Sequence, residues 1–400
     1  MMYNSSWPCD YWVLTPEMQQ VRALVTPSVL EWAREEAGYE VEDVARRLRR
    51  APGDISAWET GQAYPSVPQA MRLAHLYARP LAVFYLPEPP AVSMPTLSDF
   101  RRLPADEPRK IGPALRLVIR LALLRQEWLR DILTEDEEGR LYWVGCRSGQ
   151  EPAQDLAREI RAWLGISKIE SAPRKLSEWI DLVESKRAYV SQTSGPSSTH
   201  TFPLAEARGI ALADDYAPQI ILNSGDSETG RTFSLVHEMV HLWIGAPGIS
   251  NNLSEGKSES STQDTETYCN QVAGFILLPK ELLANLWDGR EASRDLRNLV
   301  RHIAADLGIS REVVARRARD DGLIKTSQYV ELREEYNREP PAKSGGGNYY
   351  RLALNRAGKA FTQRLLHQYY DGRVTDRVAS ELLNVKIQHF RQVADRAGMV

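Results

Sequence analysis

Residues 237–241 read His-Glu-Met-Val-His, inside the apolar helical run Phe233, Leu235, Val236, Met239, Val240, Leu242 and Trp243. On an α-helix, positions i and i+4 lie one above the other, so His237 and His241 can direct both imidazoles at a single metal ion. Glu238 sits one step round, where a carboxylate can take a proton from water. Two neutral imidazoles, an acidic third ligand and a carboxylate base are what metal-assisted hydrolysis requires. With seven histidines and 32 glutamates in 400 residues, an accidental match to this five-residue pattern is expected about 0.01 times. The apolar flanks also argue against two solvated surface histidines, because they would bury this face of the helix.

A third ligand has to come from another element. After the motif the chain passes through a loop rich in Gly, Ser and Asn, then regains helical apolar spacing from Gln263 to Leu278. There Glu266 and Asn270 share a face, while Phe275, Ile276 and Leu277 pack a core. Spacing prefers Glu266 and leaves Glu255, Glu259 and Asp264 open. Cys9, Cys146 and Cys269 are too far apart for a Cys-x-x-Cys site or a disulfide framework, which suits a reducing compartment.

The elements that position this chemistry have to be read from a chain of 400 residues, enough for two or three domains. Hydrophobic residues at 42% and charged residues at 26% describe an ordinary folded protein. Fifty Lys and Arg against 53 Asp and Glu give a net charge of −3. No global basic field marks a nucleic-acid partner, so any DNA contact is local. The opening MMYNSSWPCDYWVL has no basic segment before an apolar one, and no run approaches the 18 or so apolar residues of a membrane span. A cytoplasmic protein without a membrane partner is expected.

Punctuation by Pro and Gly predicts an N-terminal extension over 1–25, a helical domain with a Pro-rich linker over 26–95, a chemistry-bearing domain with a leading long helix over 96–338, a flexible linker over 339–347 and a helical domain over 348–400. Thr26 to Tyr85 reads as five short helices, and Lys110 to Glu138 as one long amphipathic helix. Arg140 to Cys146 reads as a strand, followed by helices near Pro152 to Leu164 and Lys175 to Lys186. The β-prone runs Ala188–Gln192, Gly209–Ala213 and Gln219–Asn223 predict a small antiparallel sheet. In the tail, Val374 to Ala397 breaks at Asn384-Val385 into two short helices, with Lys386, Gln388, His389 and Arg391 on the second. That break fits a helical hairpin for dimer or partner contact, and a second DNA reader is the other reading.

The run FSLVHEMVHLWIG, followed by ETYCNQVAGFILLP and preceded by ARGIALADDYAPQIILNSGDS, closely resembles the ImmA/IrrE-type metallopeptidases over about residues 200 to 280. The resemblance implies a zincin-like domain with His237, His241 and Glu266 as metal ligands and Glu238 as catalytic acid/base. It makes zinc the default ion, with Mn2+ the other candidate, since three N/O ligands do not discriminate between them. Thr26 to Tyr85 similarly resembles a phage-repressor (Xre-like) helix-turn-helix, with EVEDVARRL as the first helix, GDISAWETG as the second, and Ile55, Trp58, Glu59 and Gly61 in a frequent family arrangement. In such folds the second helix enters the major groove. That places Gly53, Asp54, Ser56 and Ala57 toward base edges, and Arg46 and Arg47 can grip phosphates. Asp54 repels phosphate, and Glu42 stands where a glutamine often opens the first helix, so a protein-docking or dimer module is the other reading of this domain.

An α+β protein follows: an N-terminal all-α helix-turn-helix domain, a central zincin-like metallopeptidase domain with a small antiparallel sheet, and a helical C-terminal domain. The expected function is a regulatory metal-dependent endopeptidase with a DNA-binding module, cleaving or controlling a partner repressor, antitoxin or toxin encoded beside it; a homodimer is compatible with this. The alternative is a transcriptional regulator, or an antitoxin-like DNA- and protein-binding protein, in which the metallopeptidase fold is a metal-stabilised scaffold without proteolysis. The intact Glu238 favours the enzyme.

Overall fold

The structure is a computed structural model that describes residues 21–90, 111–166, 172–196, 200–245, 248–250, 260–288, 295–338 and 348–399. Most of the expected N-terminal extension, Pro95, the 339–347 linker and the competing carboxylates Glu255 and Glu259 lie outside these residues. The chain divides into two compact units, one of Met1–Leu97 with Arg109–Leu117, the other of Ser98–Pro108 with Val118–Val400.

The first unit contains α1 (Pro27–Glu36), α2 (Val41–Leu48), α3 (Pro52–Glu59), α4 (Val67–Leu76) and a 3₁₀ turn at Leu81–Tyr85, matching the five short helices expected. Proline stands in the first turn of α1, α3 and α4, where its missing N–H has no intrahelical partner to lose. Leu30, Ala33, Val44, Ile55, Trp58, Leu73 and Phe84 form one core. Within it, Arg34 of α1 forks onto Glu59 of α3, with Nε to Oε1 at 2.8 Å and Nη2 to Oε2 at 3.1 Å, and Arg34 Nη1 donates to the Tyr39 carbonyl at 3.0 Å. Both partners are more than 90% buried. The glutamate of the Trp-Glu pair is therefore a packing residue. Glu59→Ala leaves a buried guanidinium without its carboxylate, a loss on the order of 3–5 kcal/mol. Hydrogen exchange over residues 27–85 is expected to lose most of its protection, and unchanged protection would exclude this role.

The second unit opens with α5 (Pro113–Glu135), of which Val118 onward belongs here, then α6 (Ala153–Leu164) and α7 (Leu176–Glu184). The sheet comprises β1 (Tyr189–Gln192), β2 (Gly209–Leu212), β3 (Gln219–Leu222) and β4 (Gly248–Ser250), in the order β1-β3-β2-β4. It is small, as expected, but mixed. β2 pairs antiparallel with β3 and β4, whereas β1 pairs parallel with β3, Tyr189 opposite Gln219. The parallel pair is possible because a long crossover separates β1 from β3. Every residue of β2 and β3 is buried, so both faces of the central strands are covered. Ala211, Ile220 and Leu222 join the main core. On α5, the Gln126 amide donates to the Leu212 and Ala217 carbonyls at 3.1 and 3.0 Å.

Between α5 and α6 the structure departs from the sequence expectation. Arg140 to Cys146 is not a strand; residues 142–145 form a turn. The Gly145 N–H donates to the Leu242 carbonyl at 2.9 Å and the Arg147 N–H to the Trp243 carbonyl at 3.2 Å. These are carbonyls at the end of α8 (Glu228–Trp243), which have no acceptor role left inside the helix. The β-prone segment is spent on capping that helix. Trp143, Trp163 and Trp243 pack beside the cap with centroids 5.0 to 6.3 Å apart.

After β4 come α9 (Ser260–Leu277), α10 (Lys280–Asp288), α11 (Leu296–Leu307), α12 (Arg311–Asp320) and α13 (Thr326–Arg338). The tail adds α14 (Tyr349–Ala357), α15 (Lys359–Tyr370), α16 (Asp376–Leu383), a 3₁₀ turn at Ile387–His389 and α17 (Phe390–Ala397). These last helices build their own core around Phe361, Leu365, Leu382 and Phe390, which takes in Leu129 and Leu133 of α5. None of the described helices is long and apolar enough to cross a membrane.

Candidate metal centre

Helix α8 begins where the Ser227 hydroxyl accepts the Gly230 N–H at 3.0 Å. From Thr232 to Trp243 every residue is buried. A helix apolar all round belongs in the interior, and burial makes each polar group on it conspicuous. His237, Glu238 and His241 are at most 2% exposed.

The imidazoles converge as their spacing requires, with His237 Nε2 and His241 Nε2 3.0 Å apart. Glu266 meets them from α9: its Oε2 lies 3.3 Å from His237 Nε2 and its Oε1 3.2 Å from His241 Nε2. Among the described residues these three are the group that could hold a metal ion. The donor set fits one. Tetrahedral zinc with bonds of about 2.0–2.1 Å spaces its ligand atoms roughly 3.3–3.4 Å apart, close to the separations found. The Nδ1 atoms of both rings are buried without a hydrogen-bond partner among the described residues, so the Nε2 atoms are the ones the fold presents. Asp264, the remaining rival, is exposed and outside the group.

Burial alone would raise the Glu266 carboxyl, but the two facing imidazoles outweigh it and hold it well below the usual carboxylate range. On His241 burial works against the charged ring, and Cys269 and Glu266 outweigh it, raising its pKa well above the usual imidazole value. A cation is what this pocket favours, and a bound metal would take the place of the proton. Cys269, expected as a core residue, is fully buried beside these ligands, and burial pushes its thiol up. The Phe233 ring stacks toward His237 at 6.0 Å.

Sequence reasoning missed Gly209 of β2. A methyl group there would lie 2.8 Å from Cγ and 2.9 Å from Cδ of Glu238, so the glutamate rests on bare backbone of the strand. The signal was the Arg-Gly-Ile start of a β-prone run, where a glycine weakens a strand unless something approaches it closely. Gly209→Ala is expected to keep the metal and lower the rate of hydrolysis by about 10²-fold, the scale of a 1 Å misplacement of a reacting group. Combining it with Glu238→Asp, which shortens the acid by one methylene, should recover part of the loss. Full activity in Gly209→Ala would remove the glycine from the site.

The DNA-facing candidates sit on the expected helices. Arg46 of α2 is exposed and pairs with Asp43 at 3.1 Å, and Arg47 lies over the Tyr39 ring at 5.4 Å. On α3, Asp54 is 4.0 Å from Arg50, Ser56 is exposed and Ala57 is half-buried. The Arg50 contact offsets part of the repulsion that Asp54 offers to phosphate.

Residues 198–319 match the family model of the IrrE N-terminal-like domain, a peptidase family M78 model. Residues 28–83 match the model of a helix-turn-helix domain. The two matches fall on the stretches whose sequence resembles these kinds of domain. The M78 match encloses β2, β3, α8 and α9, and hence all four residues of the site. The helix-turn-helix match takes in α1 from its second residue and all of α2, α3 and α4. No curated protein matches the chain.

Proposed function

We propose that the chain is a regulatory metal-dependent endopeptidase whose helix-turn-helix domain binds DNA, and that its substrate is a partner repressor, antitoxin or toxin. The observation that carries the reading is the convergence of His237, His241 and Glu266 beside the buried Glu238. A divalent ion held by these ligands, zinc by default and manganese as the other candidate, supplies Lewis acidity toward water and a peptide carbonyl. With an ion in place of the proton, His237 and His241 would offer neutral Nε2 lone pairs, and Glu266 would supply a negative charge that balances the cation. Glu238 accepts the proton of the attacking water and passes it to the departing amine. Its burial keeps bulk water from competing for that proton. The test is incubation of the metal-loaded chain with the product of a neighbouring gene, with new termini read by mass spectrometry. Cleavage supports the reading, whereas bound metal with no cleavage of any such partner would return the fold to a scaffold.

For DNA, the exposed arginines of α2 and the nearly uncharged start of α3 favour phosphate over base contacts. Arg46→Ala with Arg47→Ala is expected to weaken binding to a promoter duplex and to a scrambled one alike, while Ser56→Ala acts on the promoter duplex alone. Fluorescence anisotropy at two salt concentrations checks this. Equal affinity of the wild type and the double arginine variant for both duplexes would exclude these arginines.

A further inference from the structure

Residues 348–400 hold nine Lys and Arg against four Asp and Glu, in a chain of net charge −3. Arg351 and Arg356 lie on α14, and the other seven cations divide into two groups. Arg364 and Arg373 pair with Glu135, Asp136 and Glu138 near the end of α5, and Lys359 pairs with Asp181, so they fasten the tail to its neighbours. Arg377, Lys386, Arg391 and Arg396 are exposed and make no ion pair among the described residues. All four lie on α16, on α17 or in the turn between them.

That turn has a specific build. Asn384 closes α16 in the left-handed conformation at φ 56°, and Val385, Lys386 and the 3₁₀ turn Ile387–His389 lead into α17. Ala379, fully buried, leaves room for the second helix, and Leu382, Leu383, Val385, Phe390, Val393 and Ala394 fill the shared core. With that face inward, Gln388, Arg391, Gln392 and Asp395 point outward at i, i+3, i+4 and i+7. Lys386 and Ile387, the latter 44% exposed, precede them. His389 is held between the Tyr349 and Tyr350 rings, with centroids at 5.3 and 5.6 Å, and its Nδ1 lies 3.3 Å from the Tyr350 hydroxyl. The start of the second helix is therefore braced, and its outward residues are cations, amides, one aliphatic side chain and, a turn further along, the carboxylate of Asp395. Cations meet phosphates, amides pair with base edges, and an exposed aliphatic group contacts the thymine methyl.

We propose that α16 and α17 form a second DNA-binding helix-turn-helix, with α17 and the Lys386–Gln388 segment entering the major groove. The proposal stands independently of the metal centre and of the N-terminal module. A protein-contact surface would bury apolar area at its centre, whereas this face presents one isoleucine with Lys386 and Arg391 at the start of the second helix, complementary to a polyanion, and its carboxylates, Asp376, Glu381 and Asp395, lie further from that start.

The test uses the full chain and fluorescence anisotropy against a mixed-sequence duplex over a salt series. Wild type, Arg46→Ala/Arg47→Ala, Lys386→Ala/Arg391→Ala and the quadruple variant are compared, each with its thermal midpoint as a control for folding. Lys386→Ala/Arg391→Ala is expected to weaken binding and to reduce the slope of log affinity against log salt by about 2. The same loss should appear when the two substitutions are added to the N-terminal variant. Gln388→Ala, which removes no charge, is expected to leave the slope alone and reduce discrimination between duplex sequences. Unchanged affinity and slope in Lys386→Ala/Arg391→Ala would overturn the proposal. So would a change in sedimentation with DNA binding intact, which would make this face a contact between copies.

Discussion

Glu238→Gln is expected to bind metal as the wild type does and to lose at least about 10²–10⁴-fold in the rate of peptide cleavage, the contribution of a positioned general base. The amide has the shape of the acid, so the contact with β2 at Gly209 survives and the packing of α8 does not change. What disappears is the capacity to accept a proton. Glu238 lies outside the ligand group of His237, His241 and Glu266, which is why catalysis and metal binding should separate in this variant. The measurement is the rate of partner cleavage by the two proteins at matched metal occupancy. Equal rates would exclude Glu238 as the base. Loss of metal together with activity would instead make it a ligand.

The parts of the site that lie within one helix were legible in the sequence, because the i, i+4 spacing and the unbroken apolar flanks of α8 are local properties. Glu266 was only partly legible. Four carboxylates follow the motif within 30 residues, and what selects among them is the approach of α9 to α8, which no local spacing encodes. The same limit explains the misread segment. Leu141, Tyr142, Trp143 and Val144 have strong β propensity, yet their neighbourhood is set by the carbonyls of Leu242 and Trp243 at the end of α8, about 100 residues further on. Gly209 was hidden for a different reason: its role lies in the side chain it lacks, visible only once Glu238 is seen to rest on it. In the first unit the Arg34–Glu59 pair joins residues 25 apart, so a glutamate that looked like part of a reading helix is a buried structural acid.

A second large effect concerns the ligands themselves. His237→Ala or His241→Ala leaves two protein donors, too few to hold a divalent ion against solvent. The lost imidazole also leaves Glu266 facing a single ring in a buried site, so its negative charge is no longer balanced. Both variants are expected to lose stoichiometric metal. They should also unfold at a temperature that added zinc no longer raises, because an ion that binds the native state stabilises it in proportion to its affinity.

The most direct measurement of the proposed chemistry is elemental analysis of the full chain, loaded with zinc or manganese and then dialysed, for the wild type and for His237→Ala, His241→Ala and Glu266→Ala. One ion per chain in the wild type and close to none in all three variants is the expected result. Metal content in the three variants equal to that of the wild type would contradict the assignment of His237, His241 and Glu266 as a metal centre, and with it the reading of the chain as a metallopeptidase.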